Sequence, residues 1–291
     1  MKSGNSKQVV PNFEDTMYKL RNEGLTNLFL YYYTNPDTFF KILDNRCIKT
    51  SKYENVNDLD EANLDCLECW PRRFEIEKYI RKNCHFISFV QDYKKYNVTI
   101  EGTQHPRMWA QYGQNNEGVC LILNRKELLR KCRLIRGQNA VMTGKISYRW
   151  SKYFDEESKD INNFCNNSSI EDILKKYGKH IFLTKHKDWE QEHEMRLCLM
   201  DNRGKDLINI DGCIEGICLG NKFMDSSERI VKLAKTLDIT NEKFGNPITL
   251  DAFGVIASTI GSYDAWPIHP NIDVKISSII NSLNKLIMKT I

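Results

Sequence analysis

Short apolar runs of strand length, separated by irregular intervals, constrain the fold of this chain more than any other feature. The runs are rich in aromatic and β-branched residues and begin near residues 28, 85, 118, 145, 195 and 216. Helical periodicity occurs between and after them, at 73–82, 125–131, 169–182 and 226–237. Because strands and helices alternate irregularly, without repeated long crossovers, the pattern predicts an α+β fold. Its central sheet is expected to be mainly antiparallel, with flanking helices.

The length of 291 residues is sufficient for one large core. We expect an N-terminal tail and leading helix over 1–27, an α+β domain over 28–240, and a C-terminal extension over 241–291 that packs on the same domain. Two polar stretches without periodicity, 93–105 and 155–168, are predicted to be surface loops or insertions.

Composition limits the classes of function. The 42 basic and 38 acidic residues nearly cancel, to a formal net charge of +4, so a strong field for duplex DNA is not evident. No apolar run is long enough for a bilayer, and the N-terminus lacks the apolar stretch of a signal peptide. Ten cysteines are scattered through apolar runs, which is typical of reduced, buried thiols. We therefore expect a cytoplasmic protein without disulfides.

Four potential zinc ligands occur close together in the sequence: Cys66 and Cys69 form a C-x-x-C pair, and Cys84 and His85 follow. A second C-x-x-C pair is missing, and His85 opens an apolar run of strand character. Unrelated buried thiols are therefore the favoured interpretation, and no metal site is predicted.

The segment W-E-Q-E-H-E-M-R-L-C-L-M, from Trp189 to Met200, places carboxylates at every second position and then becomes apolar. In an extended chain Glu190, Glu192, Glu194 and Arg196 would share one face. Carboxylates on one face repel one another unless cations or hydroxyls contact them. Such clustering of charge is typical of functional sites. The alternative is an edge strand protected by solvated charge.

Several segments in a fixed order resemble a known bacterial family. They are L-Y-Y-Y-T, S-K-Y-E-N-V-N-D-L-D-E, M-W-A-Q-Y-G-Q-N-N-E-G-V-C-L-I-L, K-H-K-D-W-E-Q-E-H-E-M-R-L and G-I-C-L-G. Together they resemble the family numbered 2971 among domains of unknown function, over the range from Leu28 to Gly220. Leu59 replaces the family's usual proline and Met195 its usual tryptophan, and neither change removes a polar group.

A second resemblance supplies a reaction. An aromatic first strand followed by a helix, P-R-M-W before a helix, and a late E-M-R-L strand are similar to the DarT-like ADP-ribosyltransferases. The resemblance implies a split sheet and NAD as substrate, with Arg107 and Glu194 at the positions of the family's arginine and glutamate. A carboxylate stabilises the positive charge that develops on ribose when nicotinamide leaves, and a guanidinium orients NAD or its acceptor.

The predicted catalytic residues are Glu194, then Glu192 on the same face, and Arg107. The residues predicted to contact NAD are Tyr31, Tyr32, Tyr33, Asn57, Asp58, Trp109 and Tyr112. Aromatic rings stack on nicotinamide or adenine, although packing within the core is the alternative for each. Asn57 and Asp58 are equally suited to capping a turn.

The favoured hypothesis is an NAD-consuming ADP-ribosyltransferase-like enzyme, a toxin or anti-phage effector that modifies nucleic acid or protein. One alternative is a metal-dependent nuclease in which Asp58, Asp60, Glu61 and the glutamate cluster hold magnesium. Against that alternative, the strand that carries the glutamates contains no lysine. Another is a non-catalytic module that senses a nucleotide.

Overall fold

The structure is a computed structural model that describes residues 28–56, 64, 67, 70–96, 98–150, 158–201, 206–229, 231–233, 235–236 and 255–257. The strands are β1 (Phe29–Thr34), β2 (Cys47–Lys49), β3 (His85–Val90), β4 (Tyr93–Lys95), β5 (Val98–Ile100), β6 (Val119–Asn124), β7 (Val141–Lys145), β8 (Ser147–Arg149), β9 (Thr184–His186), β10 (Glu194–Leu199), β11 (Leu207–Asn209), β12 (Ile214–Leu219) and β13 (Val255–Ala257). The helices are α1 (Pro36–Asn45), α2 (Arg73–Asn83), α3 (Pro106–Gln111), α4 (Arg125–Arg136), α5 (Ser158–Asn167) and α6 (Ile170–Phe182). The predicted leading helix lies outside the described residues, as does the C-terminal extension apart from β13.

Seven strands form the central sheet, in the order β13-β12-β6-β1-β3-β10-β7. Each neighbouring pair is antiparallel except β12 and β13, which are parallel. The predicted α+β fold with a mainly antiparallel sheet and flanking helices is therefore confirmed.

The sheet nearly separates between β1 and β3. β1 pairs with β6 along its whole length, from Phe29↔Asn124 to Thr34↔Val119, whereas it meets β3 only at Tyr31↔Val90. The two halves of the sheet therefore diverge on either side of this single pairing.

The two faces of the sheet are covered differently. On one face a continuous core includes side chains from α1, α4 and six strands of the central sheet. On the other face, one cluster of apolar side chains covers the β3-β10-β7 half and another covers the β6-β12 half. Phe86 of β3 belongs to the first cluster and Val90 to the second. Ser88, which lies between them along β3, belongs to neither.

The helix starts follow ordinary capping chemistry. Asn35 caps α1 because its side chain accepts a 2.8 Å hydrogen bond from the backbone nitrogen of Thr38, and Pro36 occupies the first turn. Ser169 caps α6 in the same way. The predicted helices at 73–82, 125–131 and 169–182 are confirmed, with α4 continuing as far as Arg136.

Three boundaries in the sequence analysis were wrong. The strand expected from residue 145 is present as β8, but it pairs with β9 outside the central sheet, and the edge strand of that sheet is β7, over the preceding residues 141–145. The expected loop at 93–105 contains the β4-β5 hairpin. The expected loop at 155–168 contains α5, whose narrow apolar stripe of Ile161, Phe164 and Cys165 packs against α6 and its neighbours.

The described helices include none with the length and apolar character that a bilayer crossing requires. The cysteines in the described part of the chain are free thiols.

Candidate functional site

A cavity of about 250 Å³ lies beside the divergence of β1 and β3. Its polar lining includes a group of side chains that we call the carboxylate cluster: Ser88, Tyr112, Lys185, Glu192, Glu194 and Arg196. The cluster draws on β3, β10, β9, the turn before β10 and the end of α3. Sequence-distant elements therefore build one polar site on the sheet face between two apolar clusters.

The backbone before β10 does not alternate as the sequence pattern predicts. Lys187–Glu192 forms a 3₁₀ helix, and His193 follows with φ 46°, so the strand begins only at Glu194. Glu194 and Arg196 share one strand face, as expected. Glu190 instead pairs with Lys187 at 2.6 Å and lies outside the cavity lining, so the prediction of one continuous extended face was wrong.

Glu194 is fixed by several partners. Its Oε1 accepts hydrogen bonds from the Ser88 hydroxyl at 2.5 Å and from Arg196 Nε at 2.8 Å, and it lies 2.7 Å from Arg196 Nη2. Its Oε2 lies 3.3 Å from Lys185 Nζ. Its backbone nitrogen donates to the Tyr148 hydroxyl at 2.8 Å. Only 4% of the residue is exposed, so the carboxylate has little freedom to reorient.

These contacts determine the protonation state of the cluster. Burial alone would raise the pKa of Glu194, but Arg196, Lys185 and the Ser88 hydroxyl together lower it below the ordinary value. Burial would lower the pKa of Lys185, but Glu194 and Glu192 together raise it. Glu194 is therefore an anion, and Lys185 a cation, over the whole neutral pH range.

Glu192 is the second buried carboxylate, with 3% of the residue exposed. Its Oε2 accepts a 2.7 Å hydrogen bond from Lys185, and its Oε1 accepts a 2.8 Å hydrogen bond from the Tyr112 hydroxyl. Lys185 therefore bridges Glu192 and Glu194. The predicted pairing of these two glutamates in one site is present, although a 3₁₀ turn rather than a strand delivers Glu192.

Lys185 was missed in the sequence analysis as a site residue. It comes from β9, which lies outside the central sheet, and the Trp189 ring lies 4.5 Å from its ammonium group. The only signal in the sequence was its position at the start of the K-H-K-D-W segment. Spacing alone does not show that a lysine before a turn folds back onto carboxylates that follow the turn.

Arg107 is not among the residues that line the cavity. Its guanidinium lies 5.5 Å from the centroid of the Trp189 ring, and its Nε donates to Gln111 at 3.4 Å. The Trp189 ring thus lies beside both Arg107 and Lys185 of the carboxylate cluster, and Arg107 does not face the cavity that Glu194 lines.

The three tyrosines of β1 all line the cavity. Tyr31 and Tyr33 belong to the apolar cluster on the cavity face, whereas Tyr32 packs on the opposite core with its ring centroid 6.0 Å from that of Phe89. The Tyr33 hydroxyl donates to the Gly102 carbonyl at 2.6 Å. Burial raises the pKa of Tyr32 and Tyr33, so both phenols stay protonated.

Trp109 has a structural position. It is completely buried, its Nε1 donates to the Thr103 carbonyl at 2.8 Å, and it does not line the cavity. Tyr112, the other aromatic residue predicted from this helix, does line the cavity through its contact with Glu192. Of the two aromatic residues predicted to contact NAD from this helix, Tyr112 therefore lines the cavity and Trp109 does not.

An aromatic group lies next to the glutamates. His193, between Glu192 and Glu194 in sequence, stacks on Tyr93 with ring centroids 3.7 Å apart, and His105 meets His193 edge to face at 5.5 Å. Neither ring nitrogen of the buried His105 has a hydrogen-bond partner among the described groups. Burial, with the nearby His193 and Arg107, lowers the pKa of His105 to about 4, so its ring is neutral at pH 7.

Several predicted ligands lie outside the described residues: Asn57, Asp58, Asp60, Glu61, Cys66 and Cys69. Of the other two potential zinc ligands, Cys84 is buried and its pKa is raised by burial. His85 has Nδ1 at 3.4 Å from Thr50 Oγ1 and Nε2 at 3.5 Å from Asp206. The described residues contain no group of three histidine, cysteine or acidic side chains arranged to hold a metal.

Part of this chain matches a known family model. Residues 108–197 match the model of a family described as "Protein of unknown function (DUF2971)". The matched range runs from α3 to β10 and contains every member of the carboxylate cluster except Ser88. No curated protein and no solved structure matches this chain.

Proposed function

We propose that this protein, whose residues 108–197 match the DUF2971 family model, is an NAD-consuming enzyme of the ADP-ribosyltransferase type. The observation that carries the proposal is Glu194: a buried, ionised carboxylate at the start of a core strand, held rigidly in a cavity where the sheet diverges. In the proposed reaction ADP-ribose passes to a nucleic acid or protein acceptor, or to water.

The chemistry of this reaction requires a negative charge near ribose. When the bond between nicotinamide and C1′ of ribose breaks, the electron pair leaves with the nicotinamide nitrogen and positive charge develops on the sugar. A preorganised carboxylate in a water-poor site stabilises that charge. Glu194 Oε2 is the better placed oxygen, because Oε1 already accepts from Ser88 and Arg196.

The aromatic lining supports an aromatic ligand. Tyr31 and Tyr33 border the cavity on the sheet face that carries Glu194, whereas the Tyr32 ring packs on the opposite face. Phenol rings provide apolar faces on which a nicotinamide or adenine ring stacks. A volume of about 250 Å³ accommodates part of a dinucleotide, so we propose that the nicotinamide ribose occupies the cavity and the remainder extends towards solvent.

A second candidate, a nucleotide-binding module without turnover, is favoured by one specific observation. Both carboxylates are already paired, because Lys185 contacts Glu192 and Glu194 while Arg196 contacts Glu194. Pairing with cations weakens the electrostatic stabilisation that a carboxylate gives to a second positive charge. The nuclease alternative has less support, because the Lys185 ammonium lies between the carboxylates where a divalent ion would have to bind.

Incubation of the purified protein with labelled NAD tests the proposal. Release of nicotinamide that is lost in a Glu194→Gln variant, and that does not require added magnesium, would support the transferase. Label on DNA, RNA or protein would identify the acceptor class. Saturable binding of NAD without nicotinamide release would favour the binding module, and absence of both would reject NAD as the ligand.

A further inference from the structure

We propose that Lys49, Ser51 and Asn55 form a phosphate-binding subsite in the wall of the cavity, which holds the pyrophosphate of the nucleotide. All three side chains line the cavity, and all three residues are exposed. The inference rests on the proposed function for the identity of the ligand as NAD. The preference for a phosphate-bearing ligand follows from the charges and donors themselves.

The charge balance of the cavity is the first argument. Within the carboxylate cluster, the two cations Lys185 and Arg196 offset the two anions Glu192 and Glu194. Lys49 also lines the cavity and makes no ion pair or side-chain hydrogen bond with any described residue. The described lining therefore has one uncompensated positive charge, which attracts an anionic ligand.

The position of the segment is the second argument. Ser51 pairs with Phe86 of β3 through two backbone hydrogen bonds, of 2.8 and 3.0 Å. The Tyr53 ring packs on the Phe86 ring with a centroid distance of 4.9 Å. Lys49 lies opposite Leu207 in the β2-β11 ladder. These anchors hold Lys49–Asn55 against β3, two residues along the strand from Ser88 of the carboxylate cluster.

The donor chemistry is the third argument. An ammonium group, a hydroxyl and a carboxamide together offer donors to the oxygens of a phosphate, and lysine binds phosphate well as a point charge. The carboxylate cluster, with its internal ion pairs, suits the ribose hydroxyls and the developing positive charge. Arg107 does not line the cavity, so we assign the cation that binds the pyrophosphate to Lys49 instead.

The experiment compares Lys49→Gln with Lys49→Arg and with Lys41→Gln. The first removes the charge and the second keeps it. The third makes the same change of net charge at an exposed lysine on α1, outside the cavity. Initial rates of nicotinamide release are measured with NAD and with nicotinamide riboside, which has the same glycosidic bond but no phosphate. Inorganic pyrophosphate is titrated into each protein by calorimetry.

We expect Lys49→Gln to raise KM for NAD about tenfold, the size of one lost charge-assisted contact, without changing kcat or the KM for the riboside. Lys49→Arg and Lys41→Gln should stay within about threefold of the parent, below that size. Equal effects of Lys49→Gln and Lys41→Gln, or equal effects on NAD and the riboside, would overturn the subsite.

The pyrophosphate titration separates the two proposals. If the parent releases no nicotinamide but binds pyrophosphate about tenfold more tightly than Lys49→Gln does, the NAD reaction is rejected and the phosphate subsite stands. If the parent shows no saturable pyrophosphate binding, or Lys49→Gln binds it as tightly as the parent, the subsite is rejected whatever happens to NAD.

Discussion

Replacing Glu194 by Gln perturbs the most constrained group of the site, and the structure sets the size of the expected loss of stability. The variant leaves Arg196, with 1% of its side chain exposed, and Lys185, with 6% exposed, facing a neutral amide. Breaking one partner of a buried ion pair typically costs about 3–5 kcal/mol. The amide oxygen of Gln still accepts hydrogen bonds from Arg196 and Ser88, and Lys185 still pairs with Glu192. We therefore expect a loss of unfolding free energy at the lower end of this range, about 3 kcal/mol.

Urea unfolding followed by circular dichroism measures this loss, with Glu190→Gln as the matched control. Glu190 and Lys187 form a partly exposed pair at 2.6 Å, with 44% and 34% of their side chains exposed. Such pairs contribute less than about 1 kcal/mol. If the two variants lose the same free energy of unfolding, the reasoning about the buried cluster is wrong.

Activity of the same variant is measured at a temperature where circular dichroism shows it folded. If the carboxylate stabilises developing charge, nicotinamide release should fall about 100-fold or more, corresponding to roughly 2.7 kcal/mol of transition-state stabilisation. Glu190→Gln should remain close to the parent. A folded Glu194→Gln protein with full turnover would remove Glu194 from the mechanism.

Three further changes test other contacts. Arg107→Ala should change KM for NAD and kcat by less than about twofold, because Arg107 does not line the cavity. A tenfold loss of kcat/KM in steady-state assays would restore its predicted role. Lys185→Met should lower the free energy of unfolding by about 3 kcal/mol near pH 7. Urea titrations should show this deficit shrinking at acid pH, as Glu194, which has lost its Lys185 partner, becomes protonated; a deficit independent of pH would contradict this. His105→Phe should flatten the fall in stability at acid pH. The pKa of His105 is about 4 in the folded protein and 6.5 in the unfolded chain, so the stability that its neutral ring contributes is complete above pH 6.5 and is lost as pH falls towards 4, by up to about 3 kcal/mol. Equal slopes of the free energy of unfolding against pH for parent and variant in that window would refute this.

The sequence was most informative where local chemistry decides the structure. The starts of α1 and α6 follow from local sequence, because Asn35 and Ser169 cap these helices through neighbours in the chain and Pro36 fits the first turn of α1. The runs of β1, β3, β6, β10 and β12 were recognisable because nearly all of their residues are buried. The helix α5 was missed because its apolar stripe is narrow and interrupted by polar residues.

The candidate site was less predictable because its backbone changes direction between two of its members. The period-two pattern of Glu190, Glu192 and Glu194 indicated a strand, but His193 adopts a left-handed conformation and the preceding turn is helical. The His193 ring of this left-handed residue stacks on Tyr93 of β4, a tertiary contact far away in sequence. Periodicity contains no information about such a contact.

The geometry of the carboxylate cluster also depends on strand register. Arg196 of β10 lies directly opposite Ser88 of β3, which brings the Ser88 hydroxyl to the Glu194 carboxylate on the same face. A slip of one residue would turn Ser88 towards the opposite core. Ile87, paired with Leu197, opposes such a slip, because both side chains are buried in the continuous core on the far face. The apolar packing on one face of the sheet therefore fixes the position of the charges on the other.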